Sequence, residues 1–211
     1  MPVSFGNPFG AKIDKSEINS ADLGLNDGQI CVLPSASQGQ VLKRGASAWE
    51  AGTDEKGAFE RVVYAGSLGG SSSITLNFSS TGHSYYIGAI NVYHNSDVAE
   101  TITMQINGDA STVYEYSRIK QEGTTLTADN VTSATSFEVA KIENGAYGHI
   151  QFKIFCYSDA PRYVDVVGGD STNQYRLVGR WGYTSTISSL VFTVSGGVFG
   201  PACNAVVYGG E

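Results

Sequence analysis

The sequence predicts an all-β protein, an antiparallel and jelly-roll-like β-sandwich preceded by an extended N-terminal arm. Three observations predict it. From about residue 60 onward, apolar and polar residues alternate with a period of two, the pattern of strands with one buried face. Gly, Ser and Thr are abundant and Pro is scarce, which suits many short strands joined by tight turns. No ten-residue stretch carries a helical stripe, which argues against a parallel α/β fold. Nor does the chain repeat at the period of a propeller or solenoid. Its 211 residues therefore divide into an arm, residues 1–58, and a sandwich, residues 59–211.

In the arm, Leu23, Leu25, Ile30, Val32 and Leu33 form at most one short strand or hook, and "SEIN" from Ser16 is a weak helix start. The stretch "GQVLKRGASAWEAG", Gly39–Gly52, holds a lone Trp49 and no clear period. An enclosed Trp buries about 200 Å². Nothing in the arm is long enough to supply that burial. Val41, Leu42 and Trp49, with Ile30 and Leu33, are therefore expected to anchor on another surface. That surface is a neighbouring subunit, or the chain's own sandwich if the arm folds back.

In the sandwich, "RVVYAGS" from Arg61 opens the strands, and Ile74, Leu76 and Phe78 mark the next. A long aromatic-rich strand from Ser84 places Tyr86, Gly88, Ile90 and Val92 on one face. Ile102, Met104 and Ile106 mark another strand, which ends in the turn signal "NGD". Thr101–Asn107 and Ser111–Ile119 are thus expected to pair as a hairpin. Phe137, Val139 and Lys141 share a face in the strand from Thr135. Ile150, Phe152, Ile154 and Cys156 alternate strictly. Tyr175, Leu177 and Gly179 oppose Arg176, Val178 and Arg180. Strands from Ile187 and Cys203 close a set of nine or ten.

The sequence shows little that resembles a catalytic site. There is no GxSxG elbow and no HExxH. "GSLGGSSS" from Gly66 lacks the ending of a phosphate loop. His83 and His94 fall near turns and read as solvated. The acids Glu115, Glu138, Asp159, Asp165 and Asp170 are the candidates for a glycosidase-type pair. Glu115 and Glu138 read as wet-face residues, while Asp165 and Asp170 bracket "VVGG", a loop with a weak calcium-site look. Cys31, Cys156 and Cys203 lack zinc spacing and read as reduced thiols, with a Cys156–Cys203 disulfide as the alternative. No cofactor is implied, and the expectation is a protein that is not an enzyme. The net charge of −7 and the absence of a basic stripe argue against nucleic acid. Arg118 and Lys120 read as ordinary surface. No apolar run is long enough for a membrane helix. "MPVSFGNPFG" does not read as a secretion signal, so the two sequons, Asn77 and Asn130, carry no weight.

The aromatic residues stand out more. Tyr85, Tyr93, Tyr116, Tyr147, Trp181 and Tyr183 fall opposite the apolar set or near strand ends. Rings of this kind pack between subunits or stack on sugars. Tyr85, Tyr93, Trp181 and Tyr183 are the candidate glycan or subunit contacts.

"LPSASQGQVLKRGASAWEAG", Leu33–Gly52, resembles collar or shaft segments of tail-fibre, head-fibre and other appendage proteins of tailed bacteriophages. "WGYTSTISSLVFTVSGGVFGPACNAVVYGG", Trp181–Gly210, resembles the end of a phage appendage sandwich, through Ile187–Leu190, Gly196–Phe199 and Val207–Gly209. Pro201-Ala202-Cys203 replaces the small polar pair usual in that pattern. The resemblance spans about a quarter of the chain. It implies a virion structural protein made in the bacterial cytoplasm. It would be a homotrimer anchored by its N-terminal arm to major capsid or neck/tail proteins, in the manner of a capsid decoration or head-fibre protein. The alternative is a receptor-binding tail fibre or carbohydrate-binding module that contacts host surface glycans.

Overall fold

The computed structural model describes residues 59–95 and 97–210 in full, and the backbone of residues 40–44 and 49–53. The chain divides into two units, Met1–Gly57 and Ala58–Glu211.

In the first unit, β1 (Gln40–Arg44) and β2 (Trp49–Thr53) pair antiparallel, with Val41 opposite Gly52, Leu42 opposite Ala51 and Arg44 opposite Trp49. Within the stretch that reads as aperiodic in sequence, the described residues thus form two paired strands. Ile30 and Leu33, the "SEIN" segment and Cys31 lie outside the described residues.

The second unit is an antiparallel β-sandwich. Its strands are β3 (Glu60–Ala65), β4 (Ser73–Asn77), β5 (Tyr85–Asn95), β6 (Glu100–Ile106), β7 (Tyr114–Glu122), β8 (Thr125–Ala134), β9 (Phe137–Ile142), β10 (Tyr147–Phe155), β11 (Arg162–Gly169), β12 (Asn173–Trp181), β13 (Ser189–Val194), β14 (Val198–Phe199) and β15 (Asn204–Gly210). The larger sheet has the order β3-β15-β5-β10-β11-β12-β7-β8, and β14 adds a short pairing to β5. The smaller sheet has the order β4-β13-β6-β9. Among the described residues there is no helix.

Alternation explains the packing. In β10, Ile150, Phe152 and Ile154 point inward while Gln151, Lys153 and Phe155 point out. In β13, Leu190, Phe192 and Val194 point inward, and Phe192 meets Phe152 across the core at a 6.1 Å ring separation. The core draws on both sheets, with Tyr86, Ile90, Met104, Phe137, Leu177 and Val207 all buried. Gly88 is required by this packing. A Cβ there would lie 2.3 Å from the Phe152 ring.

Four strand expectations are corrected. β6 and β7 are not a hairpin. β6 pairs with β13 and β9, whereas β7 pairs with β12 and β8. The expected turn is present, with Asn107 and Gly108 at positive φ, but the chain then crosses between sheets. The Tyr114 hydroxyl fixes that corner. It accepts from the Ile106 N–H at 3.0 Å and donates to the Asp109 carbonyl at 2.9 Å.

Second, a bulge between Ile102 and Thr103 changes the phase of β9. Ala140 and Ile142 point inward after Val139, and Lys141 points out. Third, Asp165-Val166-Val167-Gly168-Gly169 is no loop but part of β11. Fourth, β8 is a strand that the alternation test misses. It is an edge strand, and neither of its faces is buried.

Candidate functional site

The outward face of the larger sheet gathers the most varied chemistry of the sandwich unit. Strand register arranges it in rows running across the strands. One row runs Arg61, Tyr208, Ile87, Lys153, Asp165, Val178, Ser117, Asn130. The next runs Val206, Ala89, Gln151, Val167, Arg176, Ile119, Ala128. A third passes Tyr85, Phe155, Tyr163, Arg180 and Glu115. Adjacent strands lie about 4.8 Å apart. The six strands from Tyr208 to Ser117 therefore span about 24 Å.

Three hollows lie along this face. The central one, about 420 Å³, is floored by Ile87, Ala89, Val167 and Val206 and edged by Gln151, Lys153, Asp165, Arg176 and Tyr208. A second, about 310 Å³, lies among Ile119, Ala128, Asn130, Arg176 and Val178. A third, about 350 Å³, runs from Val178 to Tyr163 and Arg180. Arg176 and Val178 border neighbouring hollows, so the three form one path. Its polar groups differ in freedom. Arg180 is tied to Glu115 by a 2.8 Å ion pair and a second hydrogen bond from Nε. Arg176 is 68% exposed and approaches Asp165 only to 3.9 Å. Arg61 lies over the Tyr64 ring at 5.4 Å. Asp165 Oδ1 is buried without a hydrogen-bond partner among the described residues.

A fourth hollow, about 690 Å³, opens at one end of the sandwich beside Tyr85, Phe155, Tyr157 and Ser158. Phe155 and Tyr157 are near-parallel there, with ring centres 6.4 Å apart, and Tyr163 meets Tyr157 edge-on. Arg162 beneath is fully engaged. It donates to the carbonyls of Tyr157, Ala160, Thr184 and Ser185, so it builds the rim and is not free for a ligand.

The aromatic candidates separate into two kinds. Tyr85 faces outward on β5, touching Phe59, and Tyr183 is exposed. Tyr93 is half-buried, with its ring 4.7 Å from that of Tyr147. Trp181 is 2% exposed and is corrected to a core residue, on the inward phase of β12 with Tyr175 and Leu177, and its Nε1 donates to Asp109 Oδ2 at 2.7 Å. Tyr116 is likewise inward-facing, against Phe137. The exposed rings among the described residues that the sequence does not single out are Phe59, Tyr64, Phe155, Tyr157, Tyr163 and Tyr208. Of the arm anchors, Val41, Leu42 and Trp49 fall on β1 and β2, which settles their backbone pairing alone.

Other readings change as well. His83 and His94 are buried rather than solvated. His83 lies edge-on to Tyr86, and His94 Nε2 is 3.1 Å from the Gly196 carbonyl. Arg118 is not a surface residue. It is buried beside Asp129 at 2.6 Å and Glu138 at 2.6 Å. Burial works against its charge, but hydrogen bonds to those carboxylates outweigh it and raise its pKa. Glu138 is committed to that pair, and Glu115 to Arg180, so neither is a free catalytic carboxylate. Asp170 is buried, its carboxylate accepting from the N–H groups of Glu143, Thr172 and Asn173. Asp165 faces outward on β11, so the two acids do not converge on a cation. Among the described residues no group of three His, Cys, Asp or Glu side chains could hold a metal. Cys156 and Cys203 are free thiols, so the disulfide alternative is set aside. Burial pushes the Cys156 thiol up to about 11, which leaves it unreactive near neutrality.

No family model matches the chain, and no curated protein matches it. Solved structures similar to it include the alginate lyase Aly36B, at 14% identity over 65% of this chain and 72% of that chain, with a TM-score of 0.31. A mutant of the same lyase in complex with alginate tetrasaccharide gives 15% identity over 65% and 72%, with a TM-score of 0.29. A further mutant in complex with alginate trisaccharide gives 10% over 72% and 81%, at 0.28. At this level the likeness carries no statement about chemistry.

Proposed function

We propose that this chain is a virion appendage protein whose sandwich binds host-surface glycans on the outward face of its larger sheet, without turning them over. The observation that carries the binding reading is the continuous path of three hollows across that face. It has an apolar floor of Ile87, Ala89, Val167 and Val206, a polar edge, and exposed tyrosines at its ends. Such a surface suits a flat amphipathic ring, which needs an apolar platform and hydrogen-bonding groups beside it. The virion setting, the homotrimer and the grip on capsid or neck/tail proteins rest on the motifs at Leu33–Gly52 and Trp181–Gly210.

The binding claim is tested with Ala89→Trp. Ala89 faces outward at the middle of the central floor, so a large ring there fills the hollow without entering the core. A glycan array with wild-type protein identifies saccharides, and calorimetry with A89W on each positive is expected to show at least a tenfold loss, about 1.4 kcal/mol, at unchanged Tm. No binding of any saccharide at millimolar concentration overturns the reading. Accumulation of new saccharide ends over time would replace a binder with an enzyme.

A further inference from the structure

We propose, on the basis of that binding reading, that the ligand is a linear acidic saccharide lying across the strands, its acid groups held by Lys153 and Arg176. Charge sign is the first argument. The whole chain carries 13 Lys and Arg against 20 Asp and Glu. The outward positions of the larger sheet's strands reverse this. They carry Arg61, Lys153, Arg176 and Arg180 against Asp165 and Glu115, four minus two, or a net of +2. An acidic protein that places its surplus of cations on one grooved face has a surface complementary to an anion.

The second argument is which cations are available. Arg180 is occupied by Glu115. Lys153 has no ion pair among the described residues, and Arg176 is only loosely associated with Asp165. These two stand on β10 and β12, one on either side of β11, at the edge of the central hollow. Two strand spacings across and a two-residue step along the strand separate their backbones by about 12 Å, which suits acid groups on successive or alternate sugars of a chain crossing the strands obliquely. Arg176 presents a planar fork for a carboxylate, and Lys153 a point charge.

Asp165 supplies the third argument, and it distinguishes a sugar from a bare polyanion. It lies directly opposite Lys153 in the register, and its Oδ1 is an acceptor without a partner among the described residues. A buried acceptor left without a donor is costly, and a ligand that supplies one relieves that cost. The flexible ends of Lys153 and Arg176 can part to admit a donor, and a sugar hydroxyl beside an acid group supplies one. A carboxylate-only chain would meet repulsion from Asp165 instead.

The test uses the full chain and four probes: hexagalacturonate, cellohexaose as the neutral saccharide, poly-L-glutamate as the anion without hydroxyls, and buffer alone for heats. Calorimetry is expected to rank hexagalacturonate first and poly-L-glutamate far behind it. The affinity should fall several-fold between about 0.05 and 0.5 M salt, as the Debye length shortens. Lys153→Gln and Arg176→Gln should each weaken hexagalacturonate about tenfold, the share of one charge-assisted hydrogen bond, and weaken cellohexaose far less, since Gln still donates a hydrogen bond. Asp165→Asn should narrow the gap between hexagalacturonate and poly-L-glutamate. All three substituted residues face outward, so unchanged Tm reports intact folding. Equal binding of the acidic and neutral saccharides, both lost in A89W, overturns the acidic assignment and leaves the binding reading in place. Equal binding of poly-L-glutamate overturns it in favour of general polyanion attraction. If no saccharide binds and the glycan array is also empty, both readings fall.

Discussion

Glu122 illustrates how single residues hold the overhanging edge of the larger sheet. It accepts from the Tyr175 hydroxyl and lies 3.2 Å from Lys141 and 3.4 Å from Lys120. The Tyr175 hydrogen bond, then the two lysines, hold its carboxyl at about 2, well below the usual 4.5. Because the folded value is the lower one, the native state binds the proton less readily than the unfolded chain does. The stabilisation is complete above 4.5 and is lost as pH falls toward about 2. Glu122→Gln, which resembles the protonated side chain, is therefore expected to lower Tm at pH 7 and to flatten its fall across that window, so that the two proteins converge toward about pH 2. Thermal melts at stepped pH check this, and parallel curves for the two proteins would refute it. Arg118 on the same strand shows why residue placement was hard to read. β7 carries Tyr114, Tyr116 and Arg118 on one phase and Glu115, Ser117 and Ile119 on the other. An apolar count cannot choose between those phases. What decides is that Asp129 and Glu138, from two other strands, compensate a buried guanidinium.

Elements were legible in the sequence where one face is buried and the other wet. β5, β10, β12 and β13 alternate because each lies between two neighbours over the core, and the inward sets of β5, β10 and β12 match the expected ones. β8 was not legible because an edge strand reaching beyond the four-stranded partner sheet has no buried face to impose a period. The false β6–β7 hairpin has a related cause. Turn chemistry at Asn107-Gly108 reports a reversal, not which sheet the chain enters next. Gly88 turns such an element-level rule into a measurement. It sits at an inward position of β5 where side chains normally pack, and the Phe152 ring from β10 fills the space its Cβ would take. Gly88→Ala is expected to destabilise by about 1–3 kcal/mol through overpacking. Phe152→Leu alone leaves a void and also destabilises. Combined, the two changes should cost less than their sum in a denaturant titration, and simple additivity would show that the contact is not what fixes the glycine.

On the scale of the whole molecule, the candidate face could not be seen in the sequence, because no local segment contains it. Tyr208, Ile87, Lys153, Asp165 and Val178 become neighbours only through the order β15-β5-β10-β11-β12, which pairs residues as far apart in the chain as Tyr85 and Gly210. Every buried hydrophobic residue of the described core lies between Val62 and Val207, and the division between units falls at Gly57/Ala58. The second unit thus contains its own core, both of its sheets and all of the proposed binding face. A chain starting at Ala58 is therefore expected to unfold cooperatively, in one transition by both far-ultraviolet circular dichroism and tyrosine fluorescence. It should keep wild-type affinity for whichever saccharide the full chain binds. In the virion reading, the same truncation should no longer be incorporated into particles, since the proposed anchors Val41, Leu42 and Trp49 are gone. Non-coincident transitions would show that the sandwich depends on the first unit. Normal incorporation of the truncated chain would remove the anchoring role from residues 1–57 while leaving the binding face intact.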